Sequence, residues 1–105
     1  MSRLNQLNEM LKEDPEDSFL LFALAMEYKN SDDLDKAIEI FRRLKSSDPE
    51  YVGLYYHLGK CYEELPKRDE ALKTYGEGIE MATKVNDVHA RSELMNEKTN
   101  LELDL

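Results

Sequence analysis

Residues 14–28 read DPEDSFLLFALAMEY and residues 48–62 read DPEYVGLYYHLGKCY. Both begin with the same tripeptide and carry two leucines and a tyrosine at the same offsets, so the sequence repeats after 34 residues. The repeat continues beyond them with an aspartate, an alanine and an aromatic residue: Asp35, Ala37 and Phe41 in one copy, Asp69, Ala71 and Tyr75 in the other. Agreement of separate positions on one offset indicates two copies of one structural unit.

The apolar residues within each copy have the spacing of an α-helix. Leu21, Leu24, Ala25 and Tyr28 fall at positions i, i+3, i+4 and i+7, which lie on one helical face. A polar segment follows at residues 30–33, and a second run with the same period comes after it. Each copy is therefore predicted to be helix, short turn, helix. No segment alternates with a sustained period of two, so we expect no strands.

This unit resembles the tetratricopeptide repeat (TPR) in its length, its helix pair and its order of small, aromatic and proline residues. Ala25 and Gly59 match the small position at which the two helices of a hairpin in that family come closest. Pro49 matches the proline that ends a repeat. In the second copy Thr83 stands at that position, and Pro66-Lys67 replaces the usual Gly-Asp turn. These departures predict a longer second helix in the second copy.

The resemblance implies an all-α fold, a right-handed α-α superhelix of six antiparallel helices that form a single domain over residues 1–105. Aspartates at three places could cap helix starts by accepting backbone N–H bonds: Asp17, Asp32 or Asp33, and Asp87. A helix over residues 86–101 is expected to cap the last repeat and to bury one apolar stripe against it. The stripe is formed by Val88, Arg91, Leu94, Met95 and Leu101. The predicted parts are a half-repeat helix, two full repeats, this capping helix and a tail: 3–13, 18–51, 52–85, 86–101 and 102–105.

Residues 55–65, YYHLGKCYEEL, gather the groups that could form a metal or catalytic site. Structural zinc sites generally use four ligands, whereas this helix offers His57, Cys61 and Glu64, and the chain has one further histidine, His89. A nucleophilic Cys61 would also need an oriented base, and no glycine-rich or other catalytic motif accompanies it. We therefore predict a protein that is not an enzyme, with no catalytic residues, no bound metal and no cofactor.

The composition limits the partners that the chain can bind. Its 105 residues carry a net charge of −9, which disfavours nucleic acid and anionic membrane surfaces. No apolar run reaches the length of a membrane-spanning helix, and the first residues do not resemble a signal peptide. A single cysteine fits a reducing compartment. These features favour a cytoplasmic location.

In the TPR family the first helices of successive repeats line a concave groove that holds a peptide or a helix. The resemblance therefore implies a non-catalytic interaction module that binds a protein or peptide. The groove positions are mostly apolar and are rimmed by Glu63, Glu64 and Lys60, which favours a partner segment that is apolar and flanked by basic residues. The chaperone-tail clamp of some family members is not expected, because its basic and amide positions are occupied here by residues such as Phe22, Met26 and His57. The candidate groove residues are Phe19, Phe22, Met26, Asn30, Tyr56, His57, Lys60 and Glu64.

Self-assembly is the alternative, because helical arrays generally need about three repeats for stability. The face near Leu4, Leu7 and Phe19, where a first helix is missing, could pair with another copy to give a homodimer. The tail at residues 101–105 could instead dock on a neighbour. A further alternative is that the chain is a fragment of a longer TPR scaffold.

Overall fold

The structure, a computed structural model, describes residues 2–104. No β-strand occurs between these two residues, and the all-α class predicted from the sequence is confirmed. The second helix of the second copy has 17 residues and that of the first copy has 14, so the predicted lengthening is confirmed. The six helices are α1 (Arg3–Glu13), α2 (Ser18–Asn30), α3 (Leu34–Ser47), α4 (Gly53–Glu64), α5 (Arg68–Lys84) and α6 (Val88–Leu103).

The helices form two compact units, one up to Tyr51 and the other from Val52 onward. In unit 1, α2 packs against α3, and α1 packs against α2. In unit 2, α5 packs against both α4 and α6. Helix α6 ends at Leu103, two residues beyond the end expected for the capping helix. The last position of the expected tail, residue 105, lies outside the described residues.

Unit 1 is built around the helical faces that the sequence pattern predicts. Asp17 caps α2 by accepting from the Leu20 N–H at 2.9 Å, and Asp33 caps α3 by accepting from the Lys36 N–H at 3.3 Å. Arg3 of α1 forms a 2.9 Å ion pair with Glu27 of α2. The buried apolar core comes from all three helices and consists of Leu7, Leu11, Leu21, Leu24, Ala25, Ala37, Ile40, Phe41 and Leu44.

Unit 2 contains two reciprocal contacts between a tyrosine ring and a glycine. A methyl group on Gly59 of α4 would lie 2.6 Å from Cζ of Tyr75 on α5. A methyl group on Gly78 of α5 would lie 2.6 Å from Cβ of Tyr55 on α4 and 2.9 Å from Cδ1 of Leu94 on α6. All three distances are shorter than non-bonded carbon atoms allow, so the helices pack at a spacing that only glycine permits.

The two units fill equivalent positions with different volumes. Tyr55 and Gly78 in unit 2 correspond, 34 residues earlier, to Leu21 and Leu44 in unit 1, and all four are buried. One unit therefore uses a large ring with no side chain opposite, whereas the other uses two residues of intermediate size. The sequence pattern identified Gly59 but not Gly78, because the repeat alignment places Gly78 at a leucine position.

An arginine links the start of α5 to the end of α6. The Arg68 guanidinium donates through Nη2 to the carbonyl oxygens of Leu101 at 3.1 Å and Glu102 at 3.4 Å. These carbonyls belong to the last turn of α6, where the helix dipole favours a cation, and that of Leu101 also accepts from the Asp104 N–H at 3.2 Å. Asp87 caps the other end of α6 by accepting from the Ala90 N–H at 3.0 Å, as predicted.

Three turns follow the same hydrogen-bond pattern, in which an N–H donates to a carbonyl five residues earlier. The pattern places Asp32 at a φ of 63° and Asn86 at 61°, a region that aspartate and asparagine tolerate. The three bonds are Asp33 to Tyr28 at 2.9 Å, Lys67 to Tyr62 at 2.8 Å and Asp87 to Ala82 at 2.9 Å.

We expect Gly78→Ala to lower the free energy of unfolding by about 1–3 kcal/mol, because the added methyl group meets Tyr55 and Leu94. The matched control is Gly76→Ala on the same helix, where the nearest atom, Cε of Lys98, is 4.0 Å away. This control should raise the free energy of unfolding by about 0.5–1 kcal/mol, as alanine favours a helix interior. Urea denaturation measures both values, and a neutral Gly78→Ala variant would contradict the close packing.

We expect Asn86→Pro to lower the free energy of unfolding by more than about 1 kcal/mol, because residue 86 lies at a φ of 61° and the proline ring favours a φ of about −65°. Thermal unfolding of the variant, compared with the wild type, measures the change. A variant as stable as the wild type would contradict the positive φ at this turn.

Candidate functional site

Helix α2 carries the candidate residues of unit 1. Phe19 is 66% exposed, Asn30 is also exposed, and Met26 is half-buried. The ring of Phe22 is half-buried, with its centroid 5.2 Å from the ring of Tyr51 and 6.1 Å from that of Phe41. The candidate groove residue Phe22 therefore also takes part in the packing of the hairpin. Phe22 belongs to an aromatic cluster that supports unit 1, and Phe19 is the aromatic ring of α2 that remains exposed.

Carboxylates surround the tyrosine of this cluster. Burial raises the pKa of Tyr51, and the negative charges of Asp48 and Asp17 raise it further. The Tyr51 hydroxyl is therefore a neutral group beside two carboxylates. Asp48 also accepts a 2.7 Å hydrogen bond from the Ser18 hydroxyl at the start of α2. Unit 1 thus places aromatic surface and negative charge close together.

Helix α4 carries the candidate residues of unit 2. The rings of Tyr56 and His57 meet edge to face, with centroids 5.2 Å apart, and both side chains are half-buried. The ammonium group of Lys60 lies 5.6 Å from the centroid of the Tyr56 ring, within the range of a cation–π interaction. Glu64 is exposed at the end of the helix. This face therefore combines aromatic rings with charges of both signs.

Lys60 is held by carboxylates of its own unit. Its ammonium group lies 2.7 Å from Glu97 of α6 and 3.8 Å from Glu63. Burial acts to lower the pKa of Lys60, but the hydrogen bond to Glu97 and the charges of Glu63 and Glu97 outweigh it, so the pKa is raised. The Tyr75 hydroxyl donates a hydrogen bond to Glu63. Helix α6 therefore engages part of the α4 face that the sequence assigned to a partner.

A recess of about 570 Å³ opens beside this network. Charged and amide groups make up most of its lining, with more carboxylates than bases, so it suits a polar or cationic group better than an apolar ligand. A smaller recess of about 200 Å³ adjoins Pro66 and Arg68. The larger one is lined by Lys60, Glu63, Glu97, Asn100, Leu101, Leu103 and Asp104.

The groups considered for metal or catalytic chemistry are placed as follows. Cys61 is fully buried and behaves as a small apolar side chain. His89 is exposed on α6, whereas His57 is half-buried on α4. Within residues 2–104, His, Cys, Asp and Glu side chains do not come together in threes at a spacing that would bind a metal ion. In the same range, every helix is too short or too polar to cross a bilayer.

The structure places all eight residues predicted from the sequence on the two expected helices, four on α2 and four on α4. Sequence reasoning missed two residues that shape these faces, Tyr51 and Glu97. Tyr51 lies at the end of the first repeat, where its aromatic type two residues after Pro49 was the available signal. Glu97 carried no local signal, since it lies 37 residues after Lys60.

The sequence profile of the tetratricopeptide repeat matches residues 20–51 and 52–84. The chain belongs to the tetratricopeptide repeat family. The resemblance identified in the sequence is thereby confirmed. Proteins with this repeat are generally non-catalytic scaffolds for protein interactions.

Solved TPR structures match most of the chain. A tetratricopeptide repeat domain protein from Salinibacter ruber is 44% identical, covers 87% of this chain and 93% of its own, and superposes with a TM-score of 0.81. The TPR2B domain of yeast Sti1, solved in complex with pHsp70, is 19% identical, with a TM-score of 0.87 and coverages of 94% and 79%. The type III secretion translocator chaperone SycD of Yersinia enterocolitica is 15% identical, with a TM-score of 0.86 and coverages of 95% and 70%. The last two likenesses concern the fold alone.

We expect the free energy of unfolding to decrease above pH 10. Burial, and then the hydrogen bond to Glu63, raise the pKa of Tyr75 above its usual value of 10.0. Above that pH an unfolded tyrosine loses its proton while the folded one keeps it, so the folded state is penalised as pH rises. Tyr51 and Lys60 act in the same direction.

The Tyr75→Phe variant isolates the contribution of Tyr75. It should lose about 1–3 kcal/mol at pH 7, because a charge-assisted hydrogen bond is removed, and should then decline less steeply between pH 9 and pH 11. Urea denaturation across this range measures both effects. Tyr28→Phe, which leaves the bond between Tyr75 and Glu63 intact, is the control and should follow the wild type. Parallel curves for Tyr75→Phe and the wild type would refute the assignment.

Proposed function

We propose that this chain is a non-catalytic protein-interaction module that binds a peptide or helix of a partner protein through α2 and α4. The observation that carries the proposal is the exposure of Phe19, at 66%, on the first helix of a repeat. A large exposed aromatic ring next to the half-buried Met26 and Phe22 provides apolar contact area that the fold of unit 1 does not use. Phe, Tyr and Met are also enriched at protein interfaces.

The charges favour a partner segment with an apolar centre and basic flanks. The whole chain carries a net charge of −9. In unit 1, Asp17 and Asp48 lie close enough to Tyr51 to raise its pKa. In unit 2, Glu64 is exposed at the end of α4. Complementary charge speeds association and excludes acidic competitors more than it adds affinity.

The solved relatives support a protein ligand over a small molecule. The Sti1 domain is in complex with pHsp70, and SycD is a chaperone for a translocator of type III secretion. The ligand class proposed here is nevertheless different from a chaperone tail. The positions at which some family members clamp a carboxylate terminus hold Phe22, Met26 and His57, which offer apolar and aromatic contact.

We expect Phe19→Ala and Tyr56→Ala each to weaken partner binding about tenfold, which corresponds to about 1.4 kcal/mol of binding free energy. Suitable probes are labelled synthetic peptides with a Leu/Phe centre and either Lys/Arg or Asp/Glu flanks, measured by fluorescence anisotropy. The basic-flanked peptide should bind more tightly, and its affinity should fall as salt screens the charges. Phe22→Ala is unsuitable, since it also removes ring contacts with Phe41 and Tyr51.

The control for this experiment is Met10→Ala, which truncates an exposed apolar residue on α1 instead of α2. Its affinity should stay within about twofold of the wild type, since most surface truncations outside an energetic centre have small effects. Unfolding curves of all variants establish that each remains folded. Unchanged affinity for both Phe19→Ala and Tyr56→Ala, or equal binding of acidic-flanked peptides, would reject the proposal.

A further inference from the structure

Helix α6 has a second apolar face that points away from its unit. Val88 is 72% exposed, Met95 is 41% exposed and Leu103 is 73% exposed, whereas Leu94 is buried. The sequence pattern assigned Val88 and Met95 to the same buried stripe as Leu94, and this assignment is wrong. Helical spacing turns Met95 about 100° and Val88 about 120° away from Leu94 around the helix axis. We call this outer face the α6 stripe; with positions i, i+4, i+7, i+11 and i+15 it consists of Val88, Ser92, Met95, Thr99 and Leu103.

The α6 stripe carries no charged residue over the full length of the helix. Three of its five side chains are apolar and exposed. An exposed apolar stripe of this length indicates an interaction site.

The α6 stripe is symmetric about its own midpoint, which lies between Met95 and Asn96. Val88 and Leu103 are equally far from this midpoint, and so are Ser92 and Thr99. When two copies of the helix pair antiparallel about a two-fold axis, each residue meets the one at the mirrored position of the other copy. Val88 then packs against Leu103 and Ser92 against Thr99, while the two copies of Met95 lie on either side of the axis, about 1.5 Å apart along the helices.

The residues beside the stripe are complementary in the same arrangement. Arg91 and Glu102 lie on the same flank of α6, and antiparallel pairing brings each within about 3 Å, measured along the axis, of the other in the second copy, at 1.5 Å per residue. Glu102 also pairs with Lys98 of its own helix at 3.2 Å, so it would lie between two bases. On the opposite flank Asn96 meets its own counterpart, and two side-chain amides can hydrogen-bond to each other.

We propose that the α6 stripe binds the α6 stripe of a second copy of this chain in an antiparallel, two-fold symmetric pair. The occupant is a second copy because the apolar positions, the hydroxyl positions and the Arg91–Glu102 charges all match under one symmetry operation. One helix of 16 residues is about 24 Å long. An interface of this length is at the small end of specific interfaces, so the dimer is weak and depends on concentration.

Sedimentation equilibrium over a range of protein concentrations tests the proposal. The wild type should show a reversible monomer–dimer equilibrium in the micromolar range. Met95→Glu places two carboxylates against each other at the centre of the pair and should weaken dimerisation at least about tenfold. Gln6→Glu adds the same charge on the exposed side of α1 and should leave the equilibrium unchanged. A wild type that stays monomeric, or a dimer that survives Met95→Glu, overturns the proposal.

Disulfide cross-linking tests the direction of the pairing. In the antiparallel pair a Met95→Cys variant should form a covalent dimer on oxidation, because both copies present residue 95 at the axis. A Val88→Cys variant should not, because its two thiols are about 20 Å apart at 1.5 Å per residue. The native Cys61 is fully buried and does not compete. Efficient cross-linking of Val88→Cys would indicate parallel pairing and overturn the arrangement proposed here.

Discussion

The contact of a tyrosine ring with a glycine backbone determines how unit 2 is built. Tyr75 lies on Gly59 and Tyr55 lies on Gly78, so each helix of the pair supplies one ring and one gap. Because both contacts are closer than a methyl group allows, they determine the separation of α4 and α5 together. Leu94 of α6 also reaches Gly78, and the position of the third helix therefore depends on the same gap. The faces of α4 and α6 follow from this packing.

The repeat period was sufficient to predict the helices, their order and most of their starts. Periodic leucines and alanines identify a buried face without any knowledge of the neighbouring helix. Capping aspartates are equally local, since Asp17 and Asp87 bond to backbone groups three residues away. Gly78 could not be identified in this way. Gly78 leaves room for the Tyr55 side chain, and only the packed structure places these two residues opposite each other.

For the candidate site too, the sequence predicted which helices carry the residues but not which distant residues contact them. The resemblance assigned eight residues to α2 and α4, and the structure has them on those helices. The environment of two of them depends on distant parts of the sequence. Phe22 packs against Tyr51, and Lys60 pairs with Glu97, at separations that no helical period connects. The outer face of α6 was misassigned for a related reason, because a mostly polar helix with scattered apolar residues offers two faces and its sequence does not show which one α5 covers.

The two hydrogen bonds from Arg68 have a consequence for the carboxyl end of the described chain. Terminal helices commonly fray, because their last carbonyls have no partners. Here the carbonyls of Leu101 and Glu102 are bound to the first residue of α5, in the interior of the sequence of unit 2. Loosening the last turn of α6 therefore means breaking contacts with an earlier helix.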